Sequence, residues 1–302
     1  MGGGQETAMA TLRILDSVSH PGDPARPNED AAGGNKFGAF VIDGATGLGG
    51  RPLLAGHSPG GTSDAAWLAR FAKDCFEEKL AAANSVPDVV RALNGCVARL
   101  VAEASAGEAV EPWALPTASF QLVRAEADAI VTYGLGDCRL FVLGADGRVI
   151  DASAIAGSAV NEQEGARRAI EHAGGLAAWR SLSEQPEIRA ELRRMRARHN
   201  QPGGAVWTLG AAPDAGDHVV ARRMAARFPA RGLLCTDGFA ALADNYRRYD
   251  GAGLVGAAAE HGLAPLLAEL RAIECDEDPD GRKFPRFKVS DDATALLFEV
   301  VA

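Results

Sequence analysis

Residues 40–47, FVIDGATG, decide how this chain is read: an apolar run that a carboxylate, Asp43, closes directly before a glycine. The pattern of an acid at the end of an apolar run returns in LLCTDGFAAL (233–242) with Asp237 and in KVSDDATALLFEV (288–300) with Asp291. One such site has a plain explanation, because Asp-Gly is a favoured turn dipeptide. Three of them, spread across nearly the whole chain, ask for more. A carboxylate left unpaired at the edge of a core costs several kcal/mol. Hard divalent cations such as Mg²⁺ and Mn²⁺, held by carboxylate, carbonyl and water oxygens, remove that cost. The expectation is a fold that gathers the three acids round positive charge.

Outward from that stretch, FGAFVID (37–43) reads as a fully buried strand, and TLRILDSVS (11–19) alternates like a half-buried one. Apolar residues recur at helical spacing over 63–80 and 86–106, with Asn84 and Pro87 punctuating the join, which predicts a helical hairpin. TASFQLVRAE (117–126), DAIVTYGLGD (128–137) and CRLFVLGADGRVI (138–150) read as strands with short Gly- or Asp-bearing connections, which favours antiparallel neighbours.

From about 151 to 204 the character changes to helices, NEQEGARRAIEHAGG (161–175) closed by Gly174 and PEIRAELRRMRARHN (186–200) opened by Pro186. AVWTLG (205–210), HVVARRM (218–224) and RGLLCTDG (231–238) resume the strands. Residues 253–275 are helical again, and KVSDDATALLFEVV (288–301) closes with a strand. Strand blocks separated by helical hairpins, without regular β-α-β alternation, predict an α+β fold of antiparallel sheets covered by helices. Residues 1–10 read as a mobile tail and 11–302 as one domain, with no repeat or low-complexity linker.

With 302 residues, 47% of them apolar and 24% charged, the chain has the mixture of an ordinary globular protein with a sizeable core. A formal net charge of −9 argues against a general nucleic-acid or anionic-membrane binder, since both need a positive footprint. The five cysteines are odd in number, widely spaced and free of any C-x-x-C, so they read as reduced thiols. No basic start precedes an apolar stretch at the N-terminus, and no segment offers about 18 uninterrupted apolar residues. The opening Met-Gly lacks the Ser or Thr that myristoylation wants, since Glu6 stands there. The expectation is a cytoplasmic enzyme; the sequence leaves its oligomeric state open.

The ordered series NEDAAGGNKFGAFVIDGATGLGG (28–50), YGLGDCRLFVL (133–143), LLCTDGFAAL and SDDATALLFEV (290–300) resembles the motifs of the metal-dependent protein serine/threonine phosphatases of the 2C type, over roughly residues 11–301. The resemblance implies two packed antiparallel sheets, each flanked by a helix pair, with metals at one end of the sandwich. It also implies hydrolysis of phosphoserine and phosphothreonine on proteins by a hydroxide bridging two Mn²⁺ or Mg²⁺ ions. Asp43 would bridge the ions, Asp237 and Asp291 would join it on one of them, and the Gly44 carbonyl and waters would complete the other. Glu29 and Asp30 would hold metal-bound waters, and Asp137 matches a position that in many relatives helps hold a third, weaker metal. Arg26 is the candidate to grip the substrate phosphate, although it stands one residue closer to NED than the pattern expects, between Pro24 and Pro27.

Three departures carry consequences. Ala45 stands where the family often has the His thought to protonate the leaving group, so a metal-bound water or His57 would substitute. The usual Asp-Asn of the last motif reads Asp291-Asp292, an acid that would tighten metal binding or repel substrate. Arg189, Arg193, Arg194, Arg196 and Arg198 make one helix of the 151–204 segment, where relatives carry a variable flap, strongly basic. It reads either as a solvated face or as a surface that recruits acidic or phosphorylated partners.

A small-molecule phosphatase of the haloacid dehalogenase type needs a nucleophilic Asp two positions before a second Asp, and Val41 stands at that offset from Asp43. GATGLGG is neither G-x-G-x-x-G nor a P-loop, which removes a nucleotide-binding reading. The remaining alternative is a catalytically silent relative, a metal-stabilised module that binds phosphoproteins.

Overall fold

The computed structural model describes residues 10–54, 63–81, 84–126, 128–155, 158–176, 179, 181–225 and 227–301, with side chains left aside over 158–162. Two antiparallel sheets stack face to face. One runs in the order β1 (Thr11–His20), β11 (Ala293–Val301), β10 (Ala230–Cys235), β6 (Arg139–Leu143), β7 (Val149–Asp151). The other runs β2 (Asp30–Asn35), β3 (Gly38–Gly44), β4 (Thr117–Glu126), β5 (Ala129–Leu135), β9 (Val220–Ala225), with the two-residue β8 (Leu209–Gly210) also pairing β4.

The central strands are apolar on both faces because each face has something to cover it. On β3, Ala39 and Val41 face the other sheet and meet Val123, Leu140, Leu234, Leu296 and Phe298. The alternate residues Phe40 and Ile42 turn the opposite way, onto α1 (Asp64–Lys79) and α2 (Val86–Ala104), where Phe76, Val90, Leu93 and Phe120 complete the layer. On β11, Leu296 and Phe298 point between the sheets while Ala295 and Leu297 pack under the helices α5 (Asp237–Asp244), α6 (Gly251–His261) and α7 (Leu263–Ala272). The order of layers is helix, sheet, sheet, helix, as the motif resemblance implies. A smaller cluster of Ile170, Leu176, Leu182 and Ile188 holds together α3 (Ser158–Ala173) and α4 (Pro186–Arg196).

Several element boundaries differ from the sequence reading for identifiable reasons. The run 253–275 is two helices, broken where Gly262 takes φ 80°, a left-handed conformation that glycine adopts at little cost. AVWTLG contributes only β8, and residues 138–150 form a hairpin of two strands, turning at Gly147 with φ 77°. The strand DAAGGN and the helix DGFAALAD, α5, were both missing from that reading. Asp291 precedes its strand instead of ending it, because pairing starts only at Ala293.

Candidate active site

The ends of β3, β10 and β11 lie together at one end of the sandwich, and they carry the acids there. Asp43, near the end of β3, sits in register with Asp30 of β2 on one side and Ser119 of β4 on the other. The Gly44 N–H donates to the Glu29 carbonyl at 3.0 Å, and a Cβ on Gly44 would stand 2.5 Å from that same oxygen and 2.9 Å from the Ala65 carbonyl. Only glycine fits, and its own carbonyl is left unshielded by a side chain.

Asp237 is the first residue of α5, with Thr236 at the N-cap, and it arrives from the other sheet. Thr236 Oγ1 donates to Asp30 Oδ2 at 2.8 Å and accepts the Thr294 N–H at 3.0 Å, so one hydroxyl links β2, β10 and β11. A Cβ on Gly238 would collide with the Asp292 carbonyl, which lets the start of α5 lie against the Asp291–Asp292 backbone. Asp137 occupies the turn after β5 and accepts from Ser119 Oγ at 2.6 Å.

Too much negative charge is buried here to remain ionised without cations. Burial, then the charges of Asp237 and Asp30, push Asp43 well above the usual carboxylate range. Burial, then Asp291 and Asp137, raise Asp237 to about 7. Burial, then Asp292, raise Asp30. Asp43 and Asp237 each act on the other's ionisation, and like charges so placed favour a proton on the pair.

Two cations reach into the cluster. Lys288 Nζ bonds Asp291 Oδ1 at 2.6 Å and Thr46 Oγ1 at 3.2 Å. Burial opposes its charge, but Asp291, Glu29 and Asp237 outweigh that and raise its pKa. From α4, Arg196 Nη1 donates to the Thr46 carbonyl at 2.6 Å; burial lowers its pKa while Glu29 and Asp43 act against that.

Among the described residues no three Asp, Glu, His or Cys side chains are drawn into a coordination sphere. Asp291 turns to Lys288, and Asp137 turns to Ser119. The donor set is nonetheless oxygen only, at least half-buried and over-supplied with negative charge, which suits a hard divalent cation.

Glu29 is buried, with its carboxylate accepting from the hydroxyls of Thr46 and Ser63, so it is no solvated turn residue. The two oxygens of Asp292 accept the backbone N–H groups of Gly22 at 2.8 Å and Glu29 at 2.7 Å, and its charge raises the pKa of Asp30. Arg26 is exposed and makes no side-chain contact among the described residues. His57 lies outside the described residues. The basic helix is only partly a solvated face. Arg193 donates to the Leu48 carbonyl at 2.8 Å and lies over the Trp113 ring at 4.0 Å, Arg189 holds the Ser183 carbonyl, and Arg194 pairs with Glu191. The sequence reading missed Lys288 and the inward role of Arg196; the signal for the latter was the three-residue spacing of Arg193 and Arg196, which places both on one helix face.

Several solved structures similar to this chain are described as serine or serine/threonine phosphatases. The catalytic domain of the serine/threonine protein phosphatase PstP, in complex with two manganese ions, matches with a TM-score of 0.53 and 16% identity, over 97% of this chain and 100% of that one. The PstP/Ppp phosphatase of Mycobacterium tuberculosis matches with a TM-score of 0.54 and 15% identity, over the same shares of the two chains. A bacterial serine phosphatase matches with a TM-score of 0.52 and 13% identity, over 96% of this chain and 97% of that one. No family model and no curated protein sequence matches the chain. At these identities the likeness is one of fold: the chain has the two-sheet α+β fold of the 2C-type phosphatases.

Proposed function

We propose that the chain is a metal-dependent protein phosphatase that hydrolyses phosphoserine and phosphothreonine, working as one domain over 11–302 with the 151–204 segment as a flap beside the site. One observation carries the reading. Asp43 and Asp237, from different sheets and opposite halves of the sequence, stand in one acidic cluster with Asp30, Asp137 and Asp291, each raising or feeling the other's ionisation. Apolar burial alone gives no reason to put two carboxylates there.

Two Mn²⁺ or Mg²⁺ ions, held by Asp43, Asp237, Asp291 and the Gly44 carbonyl, would activate a water and neutralise phosphoryl oxygens. Around them Glu29 and Asp30 keep orienting roles through their hydroxyl partners, and Asp137 is the candidate for a third ion. Arg196, already at the loop after Asp43, is better placed than exposed Arg26 to take phosphoryl oxygens with its remaining donors. The substrate is a phosphorylated protein, and neither nucleic acid nor a membrane belongs to the reading. A reducing, cytoplasmic setting, in which its five cysteines stay thiols, belongs to the same reading. No helix among the described residues is long and apolar enough to cross a membrane.

The test is turnover of p-nitrophenyl phosphate and a phosphothreonine peptide, with and without Mn²⁺, by the wild type and Asp237→Asn. The expected result is Mn²⁺-dependent turnover that drops by about 100-fold or more in the variant, as loss of a metal ligand predicts. Tight Mn²⁺ binding with no turnover of either compound would instead establish the silent, phosphoprotein-binding reading.

A further inference from the structure

The ester oxygen of serine or threonine leaves as a strongly basic alkoxide unless a proton reaches it as the P–O bond breaks, so a positioned acid is worth about 10²–10⁴ in rate. Ala45, the residue after the Asp43-Gly44 turn, has no proton to give. Its N–H donates to the Thr117 carbonyl at 3.0 Å, and its carbonyl lies 3.5 Å from Nη1 of Arg196, the last residue of α4.

The chain that leaves α4 is anchored on both sides of His199. Before it, the His199 N–H donates to the Arg196 carbonyl at 2.9 Å, and Arg196 grips the carbonyls of Thr46 at 2.6 Å and Ala45 at 3.5 Å. After it, Asn200 accepts the Thr208 N–H at 2.7 Å and donates to Thr208 Oγ1 at 2.9 Å. Thr208 leads directly into β8, which pairs with Thr117 and Ala118, and Ala118 is in register with Gly44. Two atoms in this neighbourhood are buried without a hydrogen-bond partner: His199 Nδ1 and Thr117 Oγ1. A pair of unsatisfied polar atoms beside an acidic cleft marks a place where a bound group completes the bonding. The charges of Arg196 and Asp137 both act on the His199 imidazole. Burial first, then Arg196, hold its pKa below the ordinary value, which makes the imidazolium a stronger acid, while incoming phosphoryl oxygens favour the charged form.

We propose that His199 is the catalytic acid that protonates the departing seryl or threonyl oxygen, an assignment that rests on the phosphatase reading above. Water oxygen forms the new bond to phosphorus, and the old P–O bond breaks with its electron pair on the side-chain oxygen. That oxygen takes the imidazolium proton and leaves as the free hydroxyl. The proton lost by the attacking water balances the one that recharges the imidazole from solvent.

The experiment compares wild type, His199→Asn and His199→Gln in Mn²⁺ on two substrates: a phosphoserine peptide, whose leaving group needs a proton, and p-nitrophenyl phosphate, whose leaving group departs as a stable anion. The expected result is a fall in kcat of about 100-fold or more on the peptide. Turnover of p-nitrophenyl phosphate should stay within about threefold, which also shows that the variants fold, and Mn²⁺ affinity by calorimetry should match wild type. Equal losses on both substrates, no loss on the peptide, or a drop in Mn²⁺ affinity would each overturn the assignment. A wild type that turns over neither substrate would overturn the phosphatase reading itself.

Discussion

Arg196 reaches from the last turn of α4 to the Thr46 carbonyl through Nη1, which leaves the other donors of its planar fork without a hydrogen-bond partner among the described residues. Burial lowers its pKa, yet a guanidinium stays charged throughout the accessible range, and Glu29 and Asp43 support that charge. A fixed fork beside a cation-binding site is suited to two phosphoryl oxygens at once, whereas an ammonium offers a single point charge. Arg196→Ala is expected to lower kcat/KM on a phosphothreonine peptide by about 10–100-fold, and Arg196→Lys to recover little of it. Steady-state kinetics on the three proteins decides the matter, and a lysine variant as fast as wild type would remove the bidentate role. Asp292 makes the complementary point. Its oxygens bind two backbone N–H groups and splint the chain before β2 onto the loop before β11.

The α4 helix is tied to the loop after Asp43 mainly by arginine-to-carbonyl bonds, Arg193 to Leu48 and Arg196 to Thr46, with Trp113 beneath Arg193. Removing the Arg193 fork forfeits charge-assisted hydrogen bonds and a cation–π contact, together about 1–3 kcal/mol of docking free energy. In Arg193→Ala, amide hydrogen exchange of residues 45–48 and of α4 should speed up while that of β3 and β4 is unchanged; uniform acceleration would mean a global role instead. This docking was illegible in the sequence for a physical reason: an arginine-rich helix face looks solvated, and the carbonyls that receive it leave no residue signature. The strands that lead to Asp43 and Asp237 were legible because burial on both faces writes continuous apolar runs such as GAFVID and GLLC. α5 was hidden because only eight residues follow the strand, too few for helical periodicity to declare itself. β2 was hidden because DAAGGN carries almost no β-branched or aromatic side chains; its pairing with β3 places it.

Stacking two sheets with their loops at a common end collects Asp30 and Asp43 from one sheet and Asp237 and Asp291 from the other, and this concentration of acid governs stability. In the metal-free chain the folded pKa of Asp237 is raised from 3.8 to about 7, and those of Asp43 and Asp30 are raised as well. The folded state therefore holds protons that the unfolded state has released. Their contribution is fully present below the unfolded value and is lost as pH rises through the folded one. His199 runs the opposite way, because its lowered pKa favours folding as pH rises, but it is one group against three. The lowered carboxyls of Asp128, Glu277 and Glu299 lose their contribution only at acid pH, below this window. A divalent ion takes the place of the protons and is bound best when the carboxylates are ionised. With a chelator present, the melting temperature should fall between about pH 5.5 and about pH 8, where 1 kcal/mol is worth roughly 2 °C for a chain of this size. Mn²⁺ should raise it more at the higher pH than at the lower, since binding only to the folded state stabilises by mass action. Differential scanning fluorimetry across that range, with EDTA and with Mn²⁺, measures both slopes. A chelated protein that grows more stable toward alkaline pH would mean that the acids are not buried together at the end of the sandwich.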